Sequence, residues 1–166
     1  MANSSIIGKV KRQLVKDIIK DETLVKAIDS PNVTSPQKLI NTHIFTYNQN
    51  PFTINKDITF LTILVHEPDS FTRNDDGSDK FIDVEIEIWI ISHHSHMEVN
   101  NIPKITDNRN DYLSELLDLK LNGRTDLGIG EVKLIYNIEG SFQKDYLYRK
   151  MLFKTKDLNN SLCKDE

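Results

Sequence analysis

Residues 80–96, KFIDVEIEIWIISHHSH, decide the fold of this chain. Isoleucine or valine occupies every second position from Ile82 to Ile90, and acidic residues fill most of the positions between them. This alternation has the period of a β-strand with one buried face, whereas a helix would scatter the same isoleucines around its axis. β-Branched side chains also favour an extended backbone. We therefore predict a strand here, with its acidic face toward water or a partner.

Apolar periodicity predicts helices on both sides of this strand in the sequence. Apolar residues recur every three or four positions over 4–20, and residues 24–28 continue as a short second helix. A further helix is predicted from about Arg109 to Leu121, with Asp107 or Asn108 as its cap and an Asn-Gly pair as its stop.

The remaining strands are less uniform in pattern. Residues 58–66, ITFLTILVH, are almost continuously apolar, which predicts a central strand covered on both faces. The polar segment 67–80 is expected to connect it to the long strand as an antiparallel hairpin. The segment 39–47 fits either a bent strand or an irregular link, and the pattern does not choose between them.

Two more strands are predicted at 131–138 and 145–155, joined through a turn at 139–141 that contains Gly140. One face of the first strand is expected to carry four apolar residues: Val132, Leu134, Tyr136 and Ile138. In the second strand both faces carry apolar residues, so its buried face stays unassigned.

The order of elements indicates an α+β fold. We expect a mainly antiparallel β-sheet covered on one face by the N-terminal helix and by the helix near residues 109–121. A single domain over residues 1–155 and a flexible tail over 156–166 follow from the pattern. The N-terminus does not match a secretory signal, and no apolar run approaches the roughly 18 residues of a membrane span, so we expect no membrane association.

Charge and cysteine content restrict the function classes. The formal net charge of −4 argues against a general nucleic-acid binder, which needs a basic surface. The single cysteine, Cys163, excludes an internal disulfide and a four-thiolate zinc site.

No motif in the sequence indicates a catalytic, cofactor or metal site. His93, His94 and His96 would need a further ligand and an oriented second shell to bind a metal, and on an extended strand only His94 and His96 share a side. The segment 74–79 superficially resembles a calcium loop, but that motif also requires a bidentate glutamate at its twelfth position and flanking helices, whereas the flanks here are predicted to be strands. We therefore expect an ordinary strand end, no cofactor, and a protein that is not an enzyme.

The outward face of the long strand is the candidate interaction surface. It carries Asp83, Glu85 and Glu87, followed by Trp89. A tryptophan at the end of an acidic face either meets a covering segment or marks a contact with another chain, and both interpretations stay open.

In arrangement, the chain resembles the small neck and tail-completion proteins of tailed bacteriophages, which include tail terminators and tail-to-head joining proteins. The resemblance spans about residues 5–155, and no catalytic residue is carried over with it. It lies in six segments: KRQLVKDIIKDETLVKAI (11–28), LINTHIFTYNQNP (39–51), ITFLTILVHEP (58–68), FIDVEIEIWIISHH (81–94), DNRNDYLSELLDL (107–119) and LGIGEVKLIYN (127–137).

The resemblance implies a virion protein that assembles in the host cytoplasm into a ring, usually a hexamer, between the connector and the tail tube. Its partners would be the tail-tube protein and the connector or head-completion protein, and DNA would pass through the ring without sequence-specific binding. Alternatives are a head-closure adaptor, a monomeric binding module outside phages, and, least favoured, a metal-dependent enzyme using His94 and His96. The expected interface residues are Asp83, Glu85, Glu87 and Trp89 on the strand, and Arg73, Asp75 and Asp76 at the hairpin tip.

Overall fold

The computed structural model describes residues 4–31, 34–54, 57–66 and 84–156. The helices are α1 (Ser4–Lys20), α2 (Glu22–Ile28) and α3 (Arg109–Leu121). The strands are β1 (Ile44–Phe45), β2 (Thr59–His66), β3 (Glu85–His93), β4 (Glu131–Phe142) and β5 (Tyr146–Lys156). Short 3-10 turns lie at Pro36–Leu39, Pro51–Thr53 and His94–His96.

The five strands form one sheet in the order β1-β2-β3-β5-β4. All pairs are antiparallel except β1 with β2, which is parallel. The three helices pack on one face of this sheet, so the predicted α+β class, with a mainly antiparallel sheet covered by helices on one side, is confirmed. Among the described residues, no helix has the length and hydropathy to cross a lipid bilayer.

The main core lies between the helices and the sheet. The alternating isoleucines of β3 that the structure describes, Ile86, Ile88 and Ile90, are fully buried there. They meet Leu14 of α1 and Leu113 of α3 in one apolar cluster. Burial of branched side chains at this density stabilises the fold by roughly 1.5–3 kcal/mol for each large side chain.

β2 is covered on both faces, as predicted. Leu61 and Ile63 belong to the main core, whereas Phe60 belongs to a smaller apolar cluster on the opposite face. The ambiguous segment before it is mostly irregular and contributes only the two-residue strand β1.

The predicted turn through Gly140 is wrong. β4 continues to Phe142, and the reversal occurs at residues 143–145, where Gln143 adopts a φ of 55°. Gly140 lies inside the strand because the ring of Tyr148 occupies the place of its side chain: an added Cβ would lie 2.4 Å from that ring.

The predicted single apolar face of β4 is also wrong. Leu134 pairs with Phe153, but Tyr136 pairs with the adjacent residue Leu152, so Ile135 is an extra residue in a β-bulge. The bulge reverses the alternation. Val132 and Leu134 therefore face the helices, while Tyr136, Ile138 and Phe142 turn to the other face.

A buried arginine joins α2 and α3 to the loop between them. Arg109, at the start of α3, is 1% exposed. Its guanidinium donates hydrogen bonds to three backbone carbonyls: Ala27 at 2.6 Å, His96 at 2.7 Å and Glu98 at 2.6 Å. Burial lowers the pKa of Arg109, and the charge of Asp29 partly offsets that effect. The helix itself begins at the predicted cap, Asn108, whose Oδ1 accepts from the main-chain N–H of Asp111 at 2.9 Å.

Candidate interaction surface

The sheet face turned away from the helices, here called the open face, collects the outward residues of all five strands. At one end, Phe45, Phe60, Ile91 and Tyr146 form a small buried cluster beneath the segment that follows β1. The rest of the face carries paired charges and aromatic rings. It is the surface on which the sequence placed Glu85, Glu87 and Trp89.

The acids of β3 are paired with lysines of β5. Glu85 lies 2.6 Å from Lys154 Nζ, and Glu87 lies 3.2 Å from Lys150 Nζ. The side chains of Glu85 and Glu87 are only 18% and 14% exposed. The face predicted for them is correct, but their charges are neutralised within the sheet, so the surface is a ladder of ion pairs rather than a negative patch.

Lys150 connects the ion pairs to the aromatic part of the face. Burial alone would lower its pKa, but the hydrogen bond and charge of Glu87 outweigh burial and raise it. The ammonium also lies 4.9 Å from the ring centre of Trp89, in a cation–π arrangement. Because Trp89 Nε1 donates to Glu87, the three side chains hold one another in a fixed arrangement.

Three aromatic rings from three strands pack beside this group. Trp89 stacks on Phe142 with 5.7 Å between ring centres, and Tyr148 lies 4.9 Å from Trp89 and 4.7 Å from Phe142. We call these residues the aromatic cluster. Gly140 provides the space for the Tyr148 ring. Glycine beneath a cross-strand aromatic ring is a recurrent way to fill such a gap in a sheet.

A groove of about 350 Å³ runs between the aromatic cluster and the segment 48–52. It is lined by the amide side chains of Asn48, Gln49 and Asn50 on one side, and by Trp89, Ile91 and Phe142 on the other. The first interpretation of Trp89, a covering by other parts of the chain, applies in part, and the second, a contact with another chain, stays a prediction. Neighbouring rings cover much of it, while its remaining surface faces an open groove that another chain can enter.

The edge of the sheet beside this groove is long and carries exposed isoleucines between polar residues. β4 has 12 residues, and within the described part of the chain no strand pairs with its outer side. Ile135 and Ile138 on this strand are 53% and 49% exposed. A long edge strand with exposed isoleucines is a site where another chain can bind.

The structure brings together only some of the predicted interface residues. Glu85, Glu87 and Trp89 lie side by side on the open face. Asp83, and the hairpin-tip residues Arg73, Asp75 and Asp76, lie outside the described residues. The lysines and the rings of Tyr148 and Phe142 were missed, although alternation of Tyr146, Tyr148 and Lys150 along β5 was a signal for one outward face.

The histidines do not continue the strand as expected. β3 ends at His93, and His94–His96 form a 3-10 turn, so the extended backbone on which His94 and His96 would share a side is not present. His96 turns inward, with Nδ1 2.7 Å from Thr59 Oγ1 and Nε2 3.3 Å from the carboxylate of Asp29. Burial, together with the charge of Arg109, lowers its pKa.

His93 and His94 instead lie beside the turn between β4 and β5. Together with Asp145, they are a group whose ligand atoms lie within 4.8 Å of one another. Asp57 also approaches His93, at 3.2 Å from Nδ1. Neither aspartate was expected at this position, because residues so distant in sequence meet here only through the strand order of the sheet.

The comparisons with known proteins give one family. The family model YomW matches residues 16–155. No curated protein matches the chain significantly. The matched region includes β1–β4, α2, α3, the last five residues of α1 and all but the last residue of β5, and thus every residue of the open face named above.

Proposed function

Because the chain belongs to the YomW family, a family of phage origin, we propose that it is a structural virion protein of a tailed phage. In this proposal it forms a ring, with six subunits as the expected number, at the neck of the virion. The ring terminates the tail tube and joins the tail to the head. The observation that carries the proposal is the open face, with its groove and with the edge strand β4, whose outer side pairs with no other strand among the described residues.

A closed ring needs two different patches on each subunit, because each copy contacts its neighbour head to tail. The chain offers two. One is the groove with the aromatic cluster, and the other is the β4 edge with Ile135 and Ile138. Aromatic residues are enriched in the buried centres of protein interfaces, and charged residues are depleted there. The pairing of Glu87 with Lys150 fits such a centre, because it leaves no unpaired charge to desolvate.

The net charge of −4 is also compatible with a ring through which DNA passes. DNA that passes through a ring should not be held by it, and a surface without basic excess binds phosphates weakly. The axial partners in this proposal are the tail-tube protein on one side and the connector or head-completion protein on the other. The ring would assemble in the host cytoplasm and remain in the virion.

The test is the mass of the purified protein by light scattering over a concentration series, alone and with the tail-tube protein, with electron microscopy of large species. Rings support the proposal. A monomer under every condition, including the mixture, contradicts it. Crosslinking in assembled particles then separates the roles: contact with the tube alone indicates a terminator, and contact with the connector alone indicates head closure.

Matched variants test the surface. Ile138→Asp, on the open face, should prevent ring formation, whereas Leu119→Asp should not, because Leu119 is 76% exposed on α3 on the helix side. Reversing Glu87 alone would place two lysines together and destabilise the monomer. The double variant Glu87→Lys with Lys150→Glu keeps the ion pair but removes the acceptor of Trp89 Nε1 and the cation–π contact with Trp89. Loss of rings by this variant therefore reports on the interface only where the melting temperature is unchanged. Rings formed by both the Ile138 and the double variant would refute the assignment of this face.

A further inference from the structure

Two histidines and an aspartate from different elements meet at one end of the sheet. One ring nitrogen each of His93 and His94 and a carboxylate oxygen of Asp145 lie within 4.8 Å of one another. His93 ends β3, and Asp145 lies in the turn between β4 and β5. Imidazole and carboxylate are the ligands that zinc and similar metals use in proteins.

The backbone around this group is held in place. His94 N–H donates to the carbonyl of Asp145 at 2.8 Å, which ties the end of β3 to the hairpin turn. Next to Asp145, the Tyr146 hydroxyl donates to the carbonyl of Ile54 at 2.9 Å. Main-chain positions of the three ligands are therefore fixed, and only their side chains need to rotate.

A second carboxylate supports His93. Asp57 Oδ1 lies 3.2 Å from Nδ1 of His93, which also contacts the hydroxyl of Ser95 at 2.7 Å and its main-chain N–H at 3.3 Å. The main-chain N–H of Ser95 donates to Nδ1, so Nδ1 has no proton in this arrangement. Binding of a metal through Nε2 would move the ring proton to Nδ1, where the Asp57 carboxylate can accept it. Carboxylates commonly orient ligating histidines in this way.

We propose that His93, His94 and Asp145 bind a divalent transition-metal ion of the zinc class, with Asp57 as the residue that orients His93. Ligand atoms around a tetrahedral zinc lie about 3.3 Å apart, given metal–nitrogen bonds of about 2.0–2.1 Å. The three ligand atoms lie within 4.8 Å of one another, and a small rotation of these half-buried and exposed side chains would bring them to the spacing that zinc requires. Three protein ligands leave a fourth position for water or for a donor from another molecule.

Two nitrogens and one oxygen favour zinc, nickel or cobalt over calcium or magnesium, which prefer all-oxygen sites. The metal would crosslink β3 to the turn between β4 and β5. It should therefore stabilise the native state, since a ligand that binds only the folded protein shifts the unfolding equilibrium. At a free zinc concentration of 100 times Kd, the melting temperature should rise by roughly 5–10 °C.

The experiment titrates tag-free, EDTA-treated protein with Zn²⁺ by calorimetry and melting, and with Co²⁺ by visible absorption. A Cys163→Ser background removes the single thiol as a ligand. One ion per chain is expected, with affinity reduced at least tenfold by His94→Ala and by Asp145→Asn. Asp57→Asn should reduce it about 10–100-fold. His66→Ala, a histidine on the same sheet outside the group, should bind as the parent does.

The variants carry their own control for folding, because melting in EDTA should be the same for all of them. Binding should also weaken on acidification, since protons compete with the metal for imidazole nitrogen. Absence of stoichiometric binding by the parent overturns the proposal. So does binding that His94→Ala and Asp145→Asn leave unchanged, because the ion would then lie elsewhere. Neither result depends on whether the protein forms rings.

Discussion

Replacing Arg109 by leucine should lower the free energy of unfolding by about 3–5 kcal/mol. The guanidinium is 1% exposed and holds three backbone carbonyls from two separate segments, at 2.6–2.7 Å. The carbonyl of Ala27 is in a buried bond, and leaving it unsatisfied costs about 1–3 kcal/mol. The other two carbonyls are partly buried, so water can replace the donor and each loss is about 0.5–1.5 kcal/mol. The pair with Asp29 adds little, because that carboxylate is 39% exposed.

Urea denaturation followed by circular dichroism measures the change directly, and the melting temperature should fall by roughly 6–20 °C. Arg109→Lys should lie between the wild type and Arg109→Leu. The lysine ammonium keeps the positive charge, but its three N–H donors share one nitrogen. It therefore cannot reach all three carbonyls that the planar guanidinium, with donors on three nitrogens, contacts. The matched control is Arg12→Leu, at an exposed position on α1, which should change stability by less than about 0.5 kcal/mol. A loss below about 1 kcal/mol for Arg109→Leu would refute the argument, since the guanidinium could not then be the donor that joins these segments.

Three further substitutions test other parts of the structure. Gly140→Ala should lower the free energy of unfolding by about 1–3 kcal/mol, because the new methyl would lie 2.4 Å from the Tyr148 ring. It should also shift the fluorescence emission of the single tryptophan, which packs against that ring. Unchanged emission and melting would contradict this packing. His96→Gln should flatten the pH dependence of stability: burial and a neighbouring arginine lower the pKa of His96, so its contribution is complete above about pH 6.5 and is lost as the pH falls toward the lowered value. Urea denaturation at several pH values between 5 and 7 measures this slope, and a slope unchanged by the substitution would contradict the argument. Asn108→Ala should cost about 1 kcal/mol in urea denaturation through loss of the α3 cap, and an unchanged midpoint would mean that the cap is replaced by water.

Local patterns predicted the elements whose one face is uniformly buried. The isoleucines of β3 alternate because one side of that strand meets the helices along the whole described length. α3 begins at its predicted cap because an asparagine side chain satisfies an N–H that the helix leaves free. In both cases the cause lies within a few residues of the effect, so the sequence reveals it.

The features that the sequence did not reveal depend on distant residues. Gly140 signals a turn on its own, but Tyr148 on the adjacent strand is what requires glycine there. The lysines that neutralise Glu85 and Glu87 lie on β5, which becomes the neighbour of β3 only because β4 takes the edge of the sheet. For the same reason Asp145 reaches the histidines. A candidate site built from three non-consecutive segments needs the strand order before its members can be named.

The bulge at Ile135 divides β4 into two parts whose apolar side chains lie on opposite faces of the sheet. Before the bulge, β4 contributes side chains to the main core: Val132 is fully buried, and Leu134 packs against the core. After it, the same backbone supplies Tyr136, Ile138 and Phe142 to the exterior. Ile135 is therefore the residue at which the alternation of the strand is reversed. Deletion of Ile135 should leave the pairing of β4 with β5 unchanged, because each remaining residue already lies opposite its partner on β5. The deletion should also remove the bend and the extra twist that a bulge imposes on the edge strand. Such a deletion would remove the exposed side chain of Ile135 and change the curvature of the sheet edge, while the other side chains of β4 keep the faces on which they lie.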